Sequence, residues 1–562
     1  MSYHAPIREM QFYLDEVLGL KRLAATERFA DATPETVEAI LTEAAKLTSE
    51  VIAPLNHVSD EAHSRLENGV VRTPPGFIEA YAAIAEGGWL SITGDPDWGG
   101  MGLPQVLGTC VNEMMSSACL SLALNPLMSM GQIEALEHHG SQALKDLYLP
   151  KLNAGTWTGT MNLTEPQAGS DVGALRSKAE PLGDGSYSIT GQKIYISWGD
   201  HDMAENIVHL VLARLPDGVP GTKGISLFLV PKFLPDAQGN PGVANALKPV
   251  SLEHKLGLHG SPTAVMAYEG ATGWLVGEPH AGMAAMFTMM NNARLGVGVQ
   301  GLGVAERAYQ QALAYALDRK QGRALIAEGT GTIADHADVR RMLMTMKALT
   351  AMTRAICLDC AVSLDMAKAE PGGDWAARAA ALTPLAKAFG TDAGCRVADL
   401  GIQVHGGMGF IEETGAAQYL RDVRVTAIYE GTNGIQAMDL VGRKMMDGGA
   451  AIKALLADIS QIADGQPELS AAVAEALTTT DALLGAEMND RFAGAVPYLN
   501  ALAMTLGCGY LQKAAQASGD ADRAALARFA IRALLPEATG GFRAALAGAE
   551  DLYALSPEAL GA

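Results

Sequence analysis

Basic side chains are scarce in this chain. Its 41 Lys and Arg face 62 Asp and Glu, a formal net charge of −21 over 562 residues. A surface of that sign excludes nucleic acid as a default partner, because phosphate binding needs a basic face. Cysteine is also sparse. Cys110, Cys119, Cys357, Cys360, Cys395 and Cys508 are scattered through the sequence and form no disulfide framework. Cys357 and Cys360 have C-x-x-C spacing but lie inside a helical pattern with no second pair nearby, so they read as buried thiols. A reducing compartment is expected. No run of about 18 or more apolar residues occurs, so no membrane span is expected. The first twenty residues carry charges throughout and do not read as a secretory signal. The stretch Pro557–Ala562 is not a peroxisomal address, which leaves a cytoplasmic location. Aromatics are only 6% of the chain, while Ala, Gly and Met are plentiful. That balance suits helices packed through small residues.

Apolar content is ample, at 49% hydrophobic against 18% charged. A chain of this length and composition makes several domains with sizeable cores. Residues 1–157 read as helices. Thr33-Pro34 opens one of them as N-cap and first turn. A further helical stretch runs from Val106 to Met130. The texture changes near Trp157. Tyr187–Thr190 and Lys193–Ser197, separated by Gly191-Gln192, read as a β-hairpin. Ile207–Ala213 and Ile225–Val230 are further strands, so 158–276 forms a β-rich domain. Helical periodicity then returns over 277–444, with long helices at Met283–Arg319, Asp335–Ala369 and Trp375–Val404. Residues 445–562 read as an appended helical domain, acidic with seven Lys and Arg against fourteen Asp and Glu. Segregated helices and strands of this kind imply an α+β architecture.

Two glycine patterns demand opposite readings. Gly296-Val297-Gly298-Val299-Gln300-Gly301 has the letters of a dinucleotide fingerprint, but no strand precedes it. Its glycines read as close helix contacts. The stretch from Gln403 to Gln436 is richer in chemistry. It holds the turn Gly406-Gly407-Met408-Gly409, then Tyr429-Glu430-Gly431-Thr432-Asn433. A carboxylate beside a glycine can be turned into a cavity, and a desolvated Glu is a base near neutral pH. On the local sequence alone, a cap of the helix that follows is the better reading of Glu430.

The order of elements and three motifs resemble the acyl-CoA dehydrogenase family of flavoproteins over most of 30–445. Met161 to Asp171, containing Thr164-Glu165-Pro166-Gln167-Ala168-Gly169-Ser170-Asp171, is similar to the family's flavin signature. Gln192-Lys193-Ile194-Tyr195-Ile196-Ser197 is similar to a second flavin-contacting segment, where the family often has Trp in place of Tyr195. The Gln403–Gln436 stretch is the third. The resemblance implies the family's fold: an N-terminal helical domain, a middle β-domain and a C-terminal helical bundle, here with the appended helices. It implies FAD as cofactor, contacted by Leu163, Thr164, Ser170, Tyr195, Ile196, Ser197, Thr432 and Gly434. It further implies that Arg319, Gln321, Gln403, Gly406 and Gly407 touch the FAD of a neighbouring subunit, making the protein a homo-oligomer, with a dimer favoured. Glu430 falls at the catalytic base. Met290-Asn291-Asn292-Ala293-Arg294 carries no acid at the alternative base position of some members. Ser170, Arg294, Tyr429 and Gly431 fall at substrate-contacting positions.

The implied reaction is α,β-dehydrogenation of an acyl-CoA thioester, with electrons passed on to an electron-transferring flavoprotein. Tyr3-His4-Ala5-Pro6, the stretch from Glu253-His254-Lys255 through Gly260-Ser261-Pro262, and the appended domain are similar to a subgroup that includes enzymes of dimethylsulfoniopropionate breakdown. That similarity implies 3-(methylthio)propanoyl-CoA as substrate. Medium- or long-chain acyl-CoA substrates are the alternative. A DNA-binding alkylation-response role, known in some extended members, is remote because the extension is acidic. An acyl-CoA oxidase, which would let O₂ reach reduced flavin, is a further alternative.

Overall fold

The computed structural model describes residues 3–326 and 328–561. The chain forms two compact units, one built mainly from 40–293 and the other from 6–39 and 294–562.

In the unit spanning 40–293, helices precede a β-structure. The expected helical stretch Val106–Met130 is two helices, Gln105–Ala118 and Leu120–His139, because Cys119 between them takes an extended conformation. The N-terminal region also contains a short antiparallel pair, Arg65–Glu67 with Val70–Arg72, where only helices were expected. Seven strands form the main sheet. Thr263–Val276 pairs with Tyr187–Ser197 on one side and with Ile225–Pro231 on the other. Ile225–Pro231 in turn pairs with Asn206–Arg214, which reaches Lys178–Pro181 and so returns to Tyr187–Ser197. The ladder therefore closes on itself.

Closure explains why Ile207–Ala213 and Ile225–Val230 are apolar without alternation: both faces are covered. Val211, Ala213, Phe228 and Val230 point into a core shared with Ile189, Met266 and Tyr268. Val208, Leu210, Leu212, Leu227 and Leu229 point outward against Leu136, Tyr148, Leu149 and Leu152 of the helices.

The predicted hairpin at Gly191-Gln192 is absent. Tyr187–Ser197 is one continuous strand. Gly191 sits there because a Cβ would lie 2.2 Å from Ser177 Oγ, so the glycine marks a close approach rather than a turn.

The other unit is helical. Three long helices, Gly282–Asp318 (from Arg294 onward), Ala337–Ala369 and Trp375–His405, form its centre. The first and third run parallel: Gly298 faces Ala386, Gly301 faces Gly390, and Tyr315 stacks on His405. A Cβ on Gly301 would meet the Gly390 carbonyl oxygen at 2.3 Å, and one on Gly298 the Ala386 oxygen at 2.4 Å. The G-x-G-x-x-G letters thus serve backbone-to-backbone helix contact, as the sequence suggested.

Residues 445–562 belong to this same unit. Their long helix Met488–Ser518 packs Gly507 against Met352 of the central bundle. It is long and apolar enough to cross a bilayer by length and composition, yet 72% of its apolar window is buried in the protein. It is a core helix. Tyr510 on it donates a hydrogen bond to Asp359, which also receives Arg378 at 2.7 Å.

Candidate active site

Glu430 sits in a loop between the 3₁₀ turn Arg424–Ala427 and the helix Asn433–Asp439. Its own backbone is left-handed, with φ of 56°, and Gly431 follows at 85°. A non-glycine residue in this region costs energy and persists only where surroundings fix it. Several contacts do so. Gln436 donates its amide to the carbonyl oxygens of Glu430, at 3.1 Å, and Gly431, at 3.3 Å. The Tyr429 hydroxyl donates to Gln300. Position 431 must be glycine on two counts, since a Cβ there would also lie 2.8 Å from Gln436 Nε2.

The helix that follows is capped by Thr432, whose hydroxyl accepts from Ile435 N–H at 3.3 Å. Glu430 is therefore not the cap, and its carboxylate is left for other work. The side chain is only half-buried by exposed area, but protein encloses the carboxylate. Burial pushes its pKa up to about 7, against the pull of Arg294 and Lys387. Among the described residues, no hydrogen bond uses the Glu430 backbone N–H.

Arg294 is buried, 3.7 Å from Asp439, and its Nε has no protein partner. Asp439 is held in turn by Arg443 at 2.6 Å. Lys387, on the helix Trp375–His405, is fully buried. Its ammonium donates to Asn433 Oδ1 at 2.8 Å. Asn433 in turn donates to Asp392 at 2.7 Å and to Thr391 at 3.0 Å. Sequence reading missed Lys387 and Asn433. The available signal was a single charge inside the apolar run Leu385-Ala386-Lys387-Ala388-Phe389.

Arg294, Tyr429, Glu430, Gly431, Thr432 and Gly434 thus share one end of the parallel helix pair. Arg319, Gln321, Gln403, Gly406 and Gly407 gather at the other end, beside the Tyr315–His405 stack. Arg319 lies 25 residues beyond Arg294, about 37 Å along the helix. Gly406 turns the chain with φ of 60°, and neither Gly406 nor Gly407 has any atom within 4 Å of where a Cβ would stand. Phe410 beside them is 85% exposed.

In the β-containing unit, the signature loop leaves the strand Trp157–Asn162. Leu163 and Thr164 are fixed through their carbonyls, which accept from Lys193 Nζ at 3.0 Å and from Ile194 N–H at 2.9 Å. Glu165 of the motif faces inward. Its carboxylate pairs with Lys193 at 2.8 Å and accepts from Ser177 Oγ at 2.6 Å and Arg176 N–H at 2.7 Å. Burial raises its pKa, but Lys193 and these donors outweigh that and hold it at about 2. Glu165 and Lys193, to which the motif reading gave no role, form the clamp that sets the loop.

Ser170 is exposed at the loop's end. Tyr195 has φ of 60° and coincides with a register shift in the pairing with Thr263–Val276. Such a bulge re-aims a side chain; the Tyr195 ring is 61% exposed while Ile196 is buried. Ser197 closes the strand opposite Thr263. An outward aromatic beside a polar loop with open backbone fits a planar heteroaromatic ring and its hydrogen-bonding edge.

Sequence models of the acyl-CoA dehydrogenase N-terminal, middle and C-terminal domains match 34–156, 160–271 and 280–446, in that order. The chain belongs to the acyl-CoA dehydrogenase family and is an FAD-dependent oxidoreductase. The 3-methylmercaptopropionyl-CoA dehydrogenase of Ruegeria pomeroyi is 46% identical to it over 519 residues, 89% of this chain and 88% of that protein. The broad-specificity linear acyl-CoA dehydrogenase FadE5 of Mycobacterium tuberculosis is 36% identical over 513 residues, 87% of this chain and 82% of that one. The crystal structure of an acyl-CoA dehydrogenase complexed with FAD from Bacillus anthracis superimposes with a TM-score of 0.76, covering 98% of this chain and 93% of that one. At 20% identity this last likeness is one of fold.

Proposed function

We propose that the protein oxidises 3-(methylthio)propanoyl-CoA to 3-(methylthio)acryloyl-CoA, with Glu430 as the base that removes the α-proton. The single observation behind the base is its geometry: a carboxylate held in a left-handed turn, relieved of capping by Thr432, with a pKa raised to about 7. Such a base is ionised near neutral pH and strong enough to act. The unused Glu430 N–H is a donor for the thioester oxygen, where charge develops as the proton leaves. Bound FAD supplies the acceptor for the β-hydride. Leu163, Thr164, Ser170, Tyr195, Ile196, Ser197, Thr432 and Gly434 would hold its flavin part. Ser170, Arg294, Tyr429 and Gly431 would contact the acyl-CoA.

The methylthio substrate rests on the 46% identity to the Ruegeria pomeroyi enzyme. The group at Arg319, Gln321, Gln403, Gly406 and Gly407 lies too far from Glu430 for one FAD to reach both. That distance supports contact with a neighbour's cofactor, and hence a homo-oligomer, with a dimer favoured. An electron-transferring flavoprotein is the proposed electron acceptor. A cytoplasmic location agrees with six free cysteines.

The test is anaerobic bleaching of bound flavin by 3-(methylthio)propanoyl-CoA, butanoyl-, octanoyl- and palmitoyl-CoA. Fast bleaching by the methylthio substrate, lost in Glu430→Gln, is the expected result. Bleaching by the longer chains alone would refute the substrate, and an active Glu430→Gln would refute the base.

A further inference from the structure

The buried ammonium of Lys387 has one hydrogen bond and no carboxylate within ion-pair distance among the described residues. Its acceptor, Asn433 Oδ1, belongs to the residue that opens the helix just after the Glu430 loop. The amide of Asn433 is fully used: Oδ1 takes Lys387, and Nδ2 donates to Asp392, Thr391 and the Ala388 carbonyl. The base loop is thereby tied to the helix Trp375–His405 through one side chain, with a cation stationed beneath it. A buried, unpaired lysine is costly, and nothing in simple packing calls for one at this position.

We infer that Lys387 is a positioning residue for the base: through Asn433 it fixes the Glu430 loop, and its charge sets the pH at which the Glu430 carboxylate becomes available. This rests on Glu430 being the base. The charged groups around Glu430 are Arg294, from the helix Gly282–Asp318, and Lys387, from Trp375–His405. Asp439 and Arg443 bear on Arg294, and Asp392 bears on Lys387, with Arg424 beside Asp392. Burial lowers the Lys387 pKa to about 8, so its charge is present at neutral pH and easily lost. While charged, it favours the carboxylate form of Glu430 and draws down the pKa that burial has raised.

The sign follows. Without the ammonium, Glu430 holds its proton to higher pH, and the rate of α-proton removal rises only at more alkaline pH. The experiment is stopped-flow flavin reduction at saturating acyl-CoA across pH 5.5–9.5 (roughly bracketing the shifted base), on holoenzyme. Lys387→Met is expected to move the acid limb up by about one pH unit. Lys387→Arg, which keeps the charge, is expected to bring it back toward wild type. Asn433→Leu removes the ammonium's acceptor but keeps Lys387. It is expected to move the limb in the same direction by less, and it decides the matter should Lys387→Met fail to fold. A purely structural lysine would lower the rate at every pH and leave the limb in place; that result, with Glu430→Gln still inactive, overturns the inference and leaves the base intact. An active Glu430→Gln removes both.

Discussion

Lys193 and Glu165 are both almost wholly inaccessible and lie 2.8 Å apart. Two buried charges are tolerable only as a pair, so removing one strands the other. Lys193→Met leaves the Glu165 carboxylate with neutral donors alone, from Ser177, Arg176 and Gln167. It also frees the Leu163 carbonyl at the start of the signature loop. The variant is expected to lose about 3–5 kcal/mol of stability and to retain less FAD on purification; urea unfolding and the flavin-to-protein absorbance ratio check these two effects. The pH dependence has a definite sign. Glu165 has a lower pKa folded than unfolded, so its contribution is complete above the ordinary carboxyl range. It is lost as pH falls from about 4.5 toward about 2.

At the scale of elements, the parallel helices Gly282–Asp318 and Trp375–His405 meet backbone to backbone at Gly298, Gly301, Gly390 and Gly394. Gly301→Ala is expected to cost at least about 1–3 kcal/mol, because the obstructing atom is a carbonyl oxygen that cannot rotate away; thermal unfolding measures it. These helices were legible in the sequence almost to their ends. The expected Met283–Arg319, Asp335–Ala369 and Trp375–Val404 became Gly282–Asp318, Ala337–Ala369 and Trp375–His405. Long segments accumulate periodic signal, and glycines at helical spacing had no strand before them. The β-region was less legible. Gly191 has the appearance of a turn in sequence, and only Ser177 standing above it shows why glycine is there. The break at Cys119 carries no Gly or Pro to announce it. The candidate site residues Glu430, Thr164 and Tyr195 were named because each lies in a local motif. Lys387 and Lys193 escaped notice because their partners, Asn433 and Glu165, stand 46 and 28 residues away.

Over the whole molecule, residues 445–562 are part of the bundle's core. Asp359 receives Arg378 and Tyr510, and Arg378 also reaches the exposed Asp458 at 2.7 Å, so a charge cluster that is buried at Asp359 straddles the two segments. The exposed pair Arg396–Glu537 adds little by comparison. Ending the chain after Met445 removes Tyr510 and Asp458 and uncovers the apolar face around Met352. The truncated protein is expected to aggregate rather than form a smaller active enzyme, which size-exclusion chromatography and flavin content would show.

The separation of the Glu430 end of the parallel helix pair from its Arg319 end has a genetic corollary. On the proposed assembly, damage near Gly406 or Arg319 harms the cofactor of the adjoining subunit and spares the base of its own. Two inactive alleles, one struck at each end of that helix pair, would then assemble mixed oligomers in which one site regains both halves. On that assembly, the unit on which selection acts for this stretch of chain is the oligomer, and inheritance of its defects need not follow the rules for a monomer.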